Sequence, residues 1–475
     1  MKQLHFFFLP LMAHGHMIPA IDMAKLFTSR GLKATIISTP AFSQPVKTAQ
    51  NSGFPIDLIT LPFPHHDSGL PPHIVSLDQV TSDPTLLPMF FKALSLLQHP
   101  FDDLIKRINP DCLVSDMFLP WTADSALKFG IPRLVFHGTS YFSLCVSEEM
   151  RRHKPFNDVA SDSEPFLIPN LPHQVKLVKT QVSDYNLHEN KDDFSRWIQQ
   201  MRESDARSYG VVINSFHELE PDYARHYTDV LGRKAWSLGP LSLCTNGGNG
   251  NGNGNEMNGD QCLAWLDSKK ANSVVYVCFG SMAKFTPAQL NELANGLEAS
   301  GQCFIWIVRS GGGDEEEWLP ERFEERMEGK CLIVRGWAPQ VAILDHPAIG
   351  AFVTHCGWNS TLEGVCAGLP MVTWPLFAEQ FFNEKLVTEV LGIGVPVGNK
   401  KWQRGANDGV SREAVAKGVR GVMVGGAAAE MRRRAVDYKE MARKAVEEGG
   451  SSYHHLTALI KDIATYLPPK KMEIM

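Results

Sequence analysis

Short apolar runs recur along the chain, each followed by a turn and then by a longer stretch in which apolar positions return every three or four residues. The first run is Leu4 to Leu9. A loop through His14 and His16 follows, and Pro19, suited to the first turn of a helix, opens a helical stretch to about Arg30. Lys33 to Ser38 reads as the next strand, Asp111 to Ser115 as another that ends at Asp116, and Leu134 to His137 as a further one. The scheme repeats in the second half. Strands are expected over Val274 to Phe279, Cys303 to Arg309, Cys331 to Arg335 and Gly350 to Thr354, with helices over Pro287 to Ser300 and about Asn359 to Ala367. Strand–helix alternation of this kind predicts parallel sheets covered by helices on both faces.

Between the two repeats lies Thr245 to Gly259, TNGGNGNGNGNEMNG, which has no apolar surface to bury and a high backbone entropy. It reads as a flexible linker. The expected division is therefore a first doubly wound domain over 1–244, the linker over 245–259, a second such domain over 260–452, and a closing helical segment over 453–475. Ligands of open parallel sheets bind beyond the carboxyl ends of the strands. His16, Asp116, Ser281, Trp337 and His355 all fall just after a predicted strand.

Composition narrows the picture. A chain of 475 residues is too long for one ordinary core, and 44% hydrophobic with 21% charged residues is usual for a soluble globular protein. A net charge of -6 without a basic stripe excludes an ordinary nucleic-acid binder; the triplet Arg432 to Arg434 reads as a solvated helix face. The nine cysteines show no C-x-x-C spacing, and Cys112, Cys278 and Cys303 sit in apolar runs, as buried thiols in a reducing compartment do. His355-Cys356 lacks the second ligand pair that zinc needs. Leu4 to Met12 is too short for a span and too polar beyond for a secretory leader, so the expectation is a soluble, cytoplasmic protein without a membrane span. Gly392, Gly394 and Gly398 read as a turn and Asp314 to Glu317 as a solvated loop. No D-x-D pair is present, which disfavours metal-assisted transfer.

Trp337 to Gln380 reads WAPQVAILDHPAIGAFVTHCGWNSTLEGVCAGLPMVTWPLFAEQ. Over its full length this segment resembles the signature box of plant family 1 UDP-sugar glycosyltransferases. The resemblance continues through HGHMIP at His14, SDMFLPW at Ser115 and FGS at Phe279. HGTSYF and PLFAEQFFNEKL look like the subgroup acting on triterpenoids, steroids and flavonoids. The resemblance implies a GT-B fold, two Rossmann-like domains facing across a cleft, with acceptor in the first half and donor in the second. It also implies a last helix, near Tyr453 to Tyr466, that packs back on the first domain.

The residues themselves suit a uridine diphosphate. Trp337 offers a flat face for uracil, worth roughly 1–3 kcal/mol. His355, Asn359 and Ser360 stand at a strand-to-helix turn, where free amides and the helix dipole favour a diphosphate. Glu363, four residues after Asn359 on the same helix side, is a carboxylate suited to two ribose hydroxyls. The resemblance adds Ala338, whose backbone pairs the uracil edge, Gln340 near base and ribose, and Ser281 on a phosphate. It assigns Glu379 and Gln380 to the sugar hydroxyls, with Trp358 nearby. Many relatives carry Asp where this chain has Glu379; Gln at position 380 is associated with glucose donors and His there with galactose.

Nucleotide diphosphate is already a good leaving group, so one general base suffices. His16 matches the family's catalytic histidine, and its place at a helix N-terminus is expected to disfavour the imidazolium. Asp116 matches the carboxylate that orients it. His14 is the rival base; the H-x-H spacing would also suit a metal pair, but no third ligand is evident. His65, His66 and His73 fall in a Pro-rich loop and read as surface residues. Phe90, Phe118, Leu119 and Phe142 could line a flat acceptor pocket or belong to the core. The expected protein is a monomer that moves glucose from UDP-glucose to a lipophilic hydroxylated acceptor with inversion, using no metal and no cofactor beyond the sugar nucleotide. A UDP-sugar epimerase and a non-catalytic nucleotide-sugar binding protein are the alternatives.

Overall fold

The computed structural model of the protein describes residues 2–80, 83–187, 193–244, 256–308 and 318–468. The first sheet contains β1 (His5–Leu9), β2 (Lys33–Ser38), β3 (Ile56–Thr60), β4 (Cys112–Asp116), β5 (Arg133–Phe136), β6 (Gly210–Ile213) and β7 (Ala235–Ser237), in the order β3-β2-β1-β4-β5-β6-β7. The second contains β8 (Val274–Cys278), β9 (Cys303–Val308), β10 (Cys331–Arg335), β11 (Ile349–Thr354), β12 (Met371–Thr373) and β13 (Gly394–Pro396), in the order β10-β9-β8-β11-β12-β13. Every pairing in both sheets is parallel. In each sheet the order reverses beside the first strand, so the crevices open at the carboxyl ends of β1/β4 and β8/β11. β1 carries Phe6, Phe7 and Phe8, each at most 1% exposed, because a strand covered by helices on both sides must be apolar on both.

Helix α1 spans His14–Ser29, so His14 and His16 are already helical and Pro19 lies inside the helix. The expected loop was wrong for an identifiable reason. Proline lacks the N–H that would bind the carbonyl four residues back, that of Gly15. This carbonyl is instead taken by the Nδ2 of Asn359, at 2.7 Å, from the other half of the chain. Pro19 thus frees an acceptor for the facing domain instead of opening the helix.

Of the stretch read as linker, residues 245–255 lie outside the described residues, as does Asp314 to Glu317. Its last residues, from Glu256, already belong to a helix, Glu256–Asp267. The terminal helix Ser451–Ala464 buries Leu456, Leu459 and Ile463 against the first sheet's core, and His455 Nδ1 accepts from the Ser237 N–H of β7 at 3.0 Å. In the Arg432 to Arg434 triplet, Arg433 and Arg434 pair with Glu430 on the solvated face, but Arg432 turns in to the Gly350 carbonyl. Among the described residues no helix is long and apolar enough to cross a membrane.

Candidate active site

A cavity of about 890 Å³ runs between the two sheets, walled by the segments that follow β1, β4, β5 and β6 on one side and β8, β10, β11 and β12 on the other. His16, Ser281, Trp337, Ala338, Gln340, His355, Trp358, Asn359, Ser360, Glu363, Glu379 and Gln380 all line it. Asp116 stands behind the wall, 1% exposed.

His16 Nδ1 and Asp116 Oδ2 lie 2.6 Å apart. An ionised carboxylate only accepts, so Nδ1 carries the proton and Nε2 presents a lone pair. The other carboxylate oxygen, Oδ1, accepts the Phe118 N–H at 2.9 Å, which fixes the group's orientation. Burial works against charge on His16, but the charge and hydrogen bond of Asp116, with Asp78 and Glu379 adding to them, outweigh it and raise the imidazole pKa above its ordinary value. The expectation of a depressed histidine is therefore corrected: a carboxylate in contact outweighs burial. His14, the rival base, is half-exposed and bonded to Asp78, which also accepts its backbone N–H.

On the second sheet's side, the helix Trp358–Ala367 starts at Gly357 without a side-chain cap from that residue; its Trp358 N–H goes to the Glu379 carboxylate, and Asn359 and Ser360, next in the turn, line the cavity where helix amides suit an anion. His355 sits beside them, and burial pushes its imidazole down to about 4, so it is neutral at pH 7. Its buried Nδ1 has no partner. Gly280 and Gly357 clasp the ring: a Cβ on Gly280 would fall 2.7 Å from Cε1, and one on Gly357 2.5 Å from Nε2. Gly280 also has φ +72°, a region that L side chains resist. Gly280→Ala is accordingly expected to displace His355 and weaken UDP binding by about tenfold or more. Calorimetric titration with UDP checks this; unchanged affinity would separate His355 from the diphosphate.

Glu363 Oε2 accepts the Gln340 Nε2–H at 2.6 Å, and Gln340 also reaches Ser360 Oγ at 3.1 Å. Burial pushes the Glu363 carboxyl up to about 7, against the opposing hydrogen bond from Gln340. Trp337 follows β10 through Gly336, and its ring lies 6.2 Å from that of His14 across the cleft. Ser281 Oγ donates to Asp78 Oδ1 at 3.1 Å, a partner the sequence did not suggest. Asp78 lies in the single helical turn Leu77–Val80, which carries no local sequence signal of that role.

At the far end, Gln380 Oε1 accepts the N–H groups of Leu376 and Phe377 at 2.8 and 3.0 Å. Its oxygen is committed to the turn, which leaves Nε2 as the group available to a ligand. Burial raises the Glu379 carboxyl, only partly offset by its own backbone N–H, by the charge of His16 across the cleft, and by hydrogen bonds from the Asn383 side chain, at 3.3 Å, and the Trp358 N–H. Trp358 is 2% exposed and donates Nε1–H to the Asn214 carbonyl at 2.8 Å, tying the two sheets together. Among the residues considered for an acceptor pocket, only Phe118 lines the cavity; Phe90, Leu119 and Phe142 are fully buried core. The walls the sequence did not reveal are Phe91, Phe194, Tyr185, Arg202 and Arg404.

Residues 159–400 match the family model described as UDP-glucoronosyl and UDP-glucosyl transferase. The chain is 59% identical over 473 residues to scopoletin glucosyltransferase of Nicotiana tabacum, covering 98% of this chain and 99% of that protein. Among solved structures it is similar to one from Glycyrrhiza uralensis complexed with glycyrrhetinic acid 3-O-monoglucuronide, with 40% identity, TM-score 0.88 and coverage of 98% and 96%. It is likewise similar to one from Medicago truncatula complexed with UDP-glucose, with 31% identity, TM-score 0.81 and coverage of 97% and 98%.

Proposed function

The chain belongs to the UDP-glucuronosyl and UDP-glucosyl transferase family, as a plant family 1 glycosyltransferase of GT-B fold, and on that premise we propose that it transfers glucose from UDP-glucose to a hydroxyl of an aromatic or triterpenoid small molecule with inversion. The observation that carries this reading is the His16–Asp116 pair facing, across one cavity, a helix N-terminus with a tryptophan and a carboxylate beside it. That the tobacco relative is named a glucosyltransferase and that the Medicago structure is complexed with UDP-glucose favour glucose over other sugars.

In this mechanism the acceptor oxygen attacks the anomeric carbon while its proton passes to His16 Nε2. The bond from that carbon to the β-phosphate oxygen breaks, and its electron pair leaves with UDP. Asp116 holds the tautomer and balances the imidazolium. The amides of Asn359 and Ser360, with His355 and Ser281, take the diphosphate; Trp337 stacks on uracil and Ala338 pairs its edge; Glu363, held by Gln340, takes the ribose diol. Glu379 and Gln380 Nε2 meet the sugar hydroxyls. Because the leaving group departs as a stable anion, the site needs no acid opposite His16. Ser281 must exchange Asp78 for phosphate when the donor enters.

Incubation with UDP-glucose and a panel of phenolic and triterpenoid acceptors tests the reaction. A β-glucoside with stoichiometric UDP is expected. An α-glucoside, an epimerised sugar nucleotide, or binding without turnover overturns it.

The ribose assignment has its own signature. Glu363, which burial pushes up to about 7, is ionised when it accepts two hydroxyl donors, so donor binding must lower that pKa. At pH 7, UDP-glucose is expected to release about half a proton per site, read as a dependence of binding enthalpy on buffer ionisation heat. Glu363→Gln should abolish the release and weaken binding by about tenfold. Absence of proton release in the unsubstituted protein would remove Glu363 from the ribose.

A further inference from the structure

An aromatic path leads away from the base along the acceptor side of the cavity. His16 meets Phe118 edge-on at 5.8 Å, Phe118 stacks on Phe91 at 6.3 Å, and Phe91 meets Phe194 at 5.9 Å. The path ends at Arg404, whose guanidinium lies 5.2 Å over the Phe194 ring and 5.7 Å over that of Trp402. Tyr185 closes the corner, edge-on to both Phe194 and Trp402. Arg404 and Trp402 come from the second half of the chain, whereas the other residues of this wall come from the first.

Among the described residues no carboxylate pairs with Arg404. Arg202, on the helix Asp193–Ala206, lines the same cavity, and its hydrogen bond goes to the Asn186 carboxamide oxygen, at 3.1 Å. Among the described residues the acids on this side have other partners: Glu148 has Arg151 and Arg152, each at 2.7 Å, and reaches Arg202 only through its charge, Glu203 has the Gln199 amide at 2.7 Å, and Asp205 has Arg233 at 2.6 Å. Burial lowers the pKa of both Arg202 and Arg404, and Tyr185 opposes that lowering in both cases, so one phenol lies within electrostatic reach of both cations. A desolvated guanidinium without an acid is costly unless a ligand completes it, and its planar fork matches a carboxylate in two parallel hydrogen bonds.

We propose that Arg404, assisted by Arg202, is a specificity-determining residue that receives an anionic group, above all a carboxylate, at the end of the acceptor remote from the hydroxyl that is glycosylated. The inference rests on the transferase reading above and names the acceptor class within it: flat aromatic or polycyclic hydroxy acids. The ring path positions the apolar body, His16 takes the hydroxyl proton, and Arg404 fixes the far end, so that length and charge together select the substrate.

The experiment uses acid and methyl-ester pairs of increasing length: 4-hydroxybenzoate, 4-hydroxycinnamate and a 3-hydroxy triterpenoid acid. Each is offered with UDP-glucose to the full chain, and the base-stable O-glucoside is counted. In the unsubstituted enzyme at least one acid is expected to exceed its ester in kcat/KM by about ten- to hundredfold, the scale of a charge-assisted hydrogen bond. Arg404→Gln should bring that ratio near one, and Arg404→Lys should restore part of it, with melting temperature and UDP affinity confirming that both variants are folded. An acid-to-ester ratio that is at or below one in every pair, or that survives Arg404→Gln, overturns the inference while leaving the transferase reading intact. Failure to glucosylate acids and esters alike counts against both.

Discussion

Replacing His16 by alanine is expected to lower turnover by about two to four orders of magnitude, the scale of a positioned general base. The structure makes this a loss of chemistry. His16 Nδ1 is held by Asp116, so Nε2 is the ring atom left to take a proton, and the neighbouring imidazole of His14 is committed to Asp78. UDP affinity should change by less than about threefold, because the nucleotide contacts arise from the second sheet. Comparing kcat with UDP dissociation constants decides the point. Near-normal turnover would return the base to another residue. A parallel loss of UDP affinity would show that His16 shapes the donor site instead.

Asp116→Asn should cost about as much, for a different reason. Asp116 Oδ1 already accepts the Phe118 N–H, so an asparagine keeps its carbonyl there and turns its NH₂ toward His16 Nδ1. Two donors cannot face each other, and the imidazole must place its proton on Nε2, where it can no longer accept one from the acceptor. A fall of about three to four orders of magnitude follows. Asp116→Ala separates tautomer from charge. The raised pKa of His16 places the acid limb of the kcat/KM profile above the ordinary histidine value. Activity is lost as pH falls through that limb, because the protonated ring is no base. Without the carboxylate the raising influence disappears, burial remains, and the limb should move to lower pH. A limb that stays in place would mean that another group sets it.

The comparison between sequence and structure is instructive at particular positions. Helix Pro287–Ser300 and strand Cys331–Arg335 fall where periodicity put them, because Thr286 caps the helix and apolar runs bounded by turns leave little choice. Pro19 misled because its local preference for a first turn was overridden by a contact from residue 359, which no window around it contains. Gln380 commits its oxygen to the turn at Leu376 and Phe377, a constraint that its sequence neighbours do not announce. Phe90 and Phe118 are chemically identical; one is buried core and the other faces the cavity.

What the sequence determined by itself was the alternation of strand and helix, the two-domain plan, and the box from Trp337 to Gln380 to which we assign the nucleotide contacts. These are local: hydrophobic period, turn residues and helix starts act over a few neighbours. Tertiary structure alone decided which groups from distant segments meet. It brought Asp116 to His16 across 100 residues, set Asp78 against Ser281, freed the Gly15 carbonyl for Asn359, and aimed Arg404 into an aromatic wall built mostly from the other domain. It also set the ionisation of His16 and Glu363, because desolvation and Coulomb terms depend on what surrounds a group in space and not on what adjoins it in the chain.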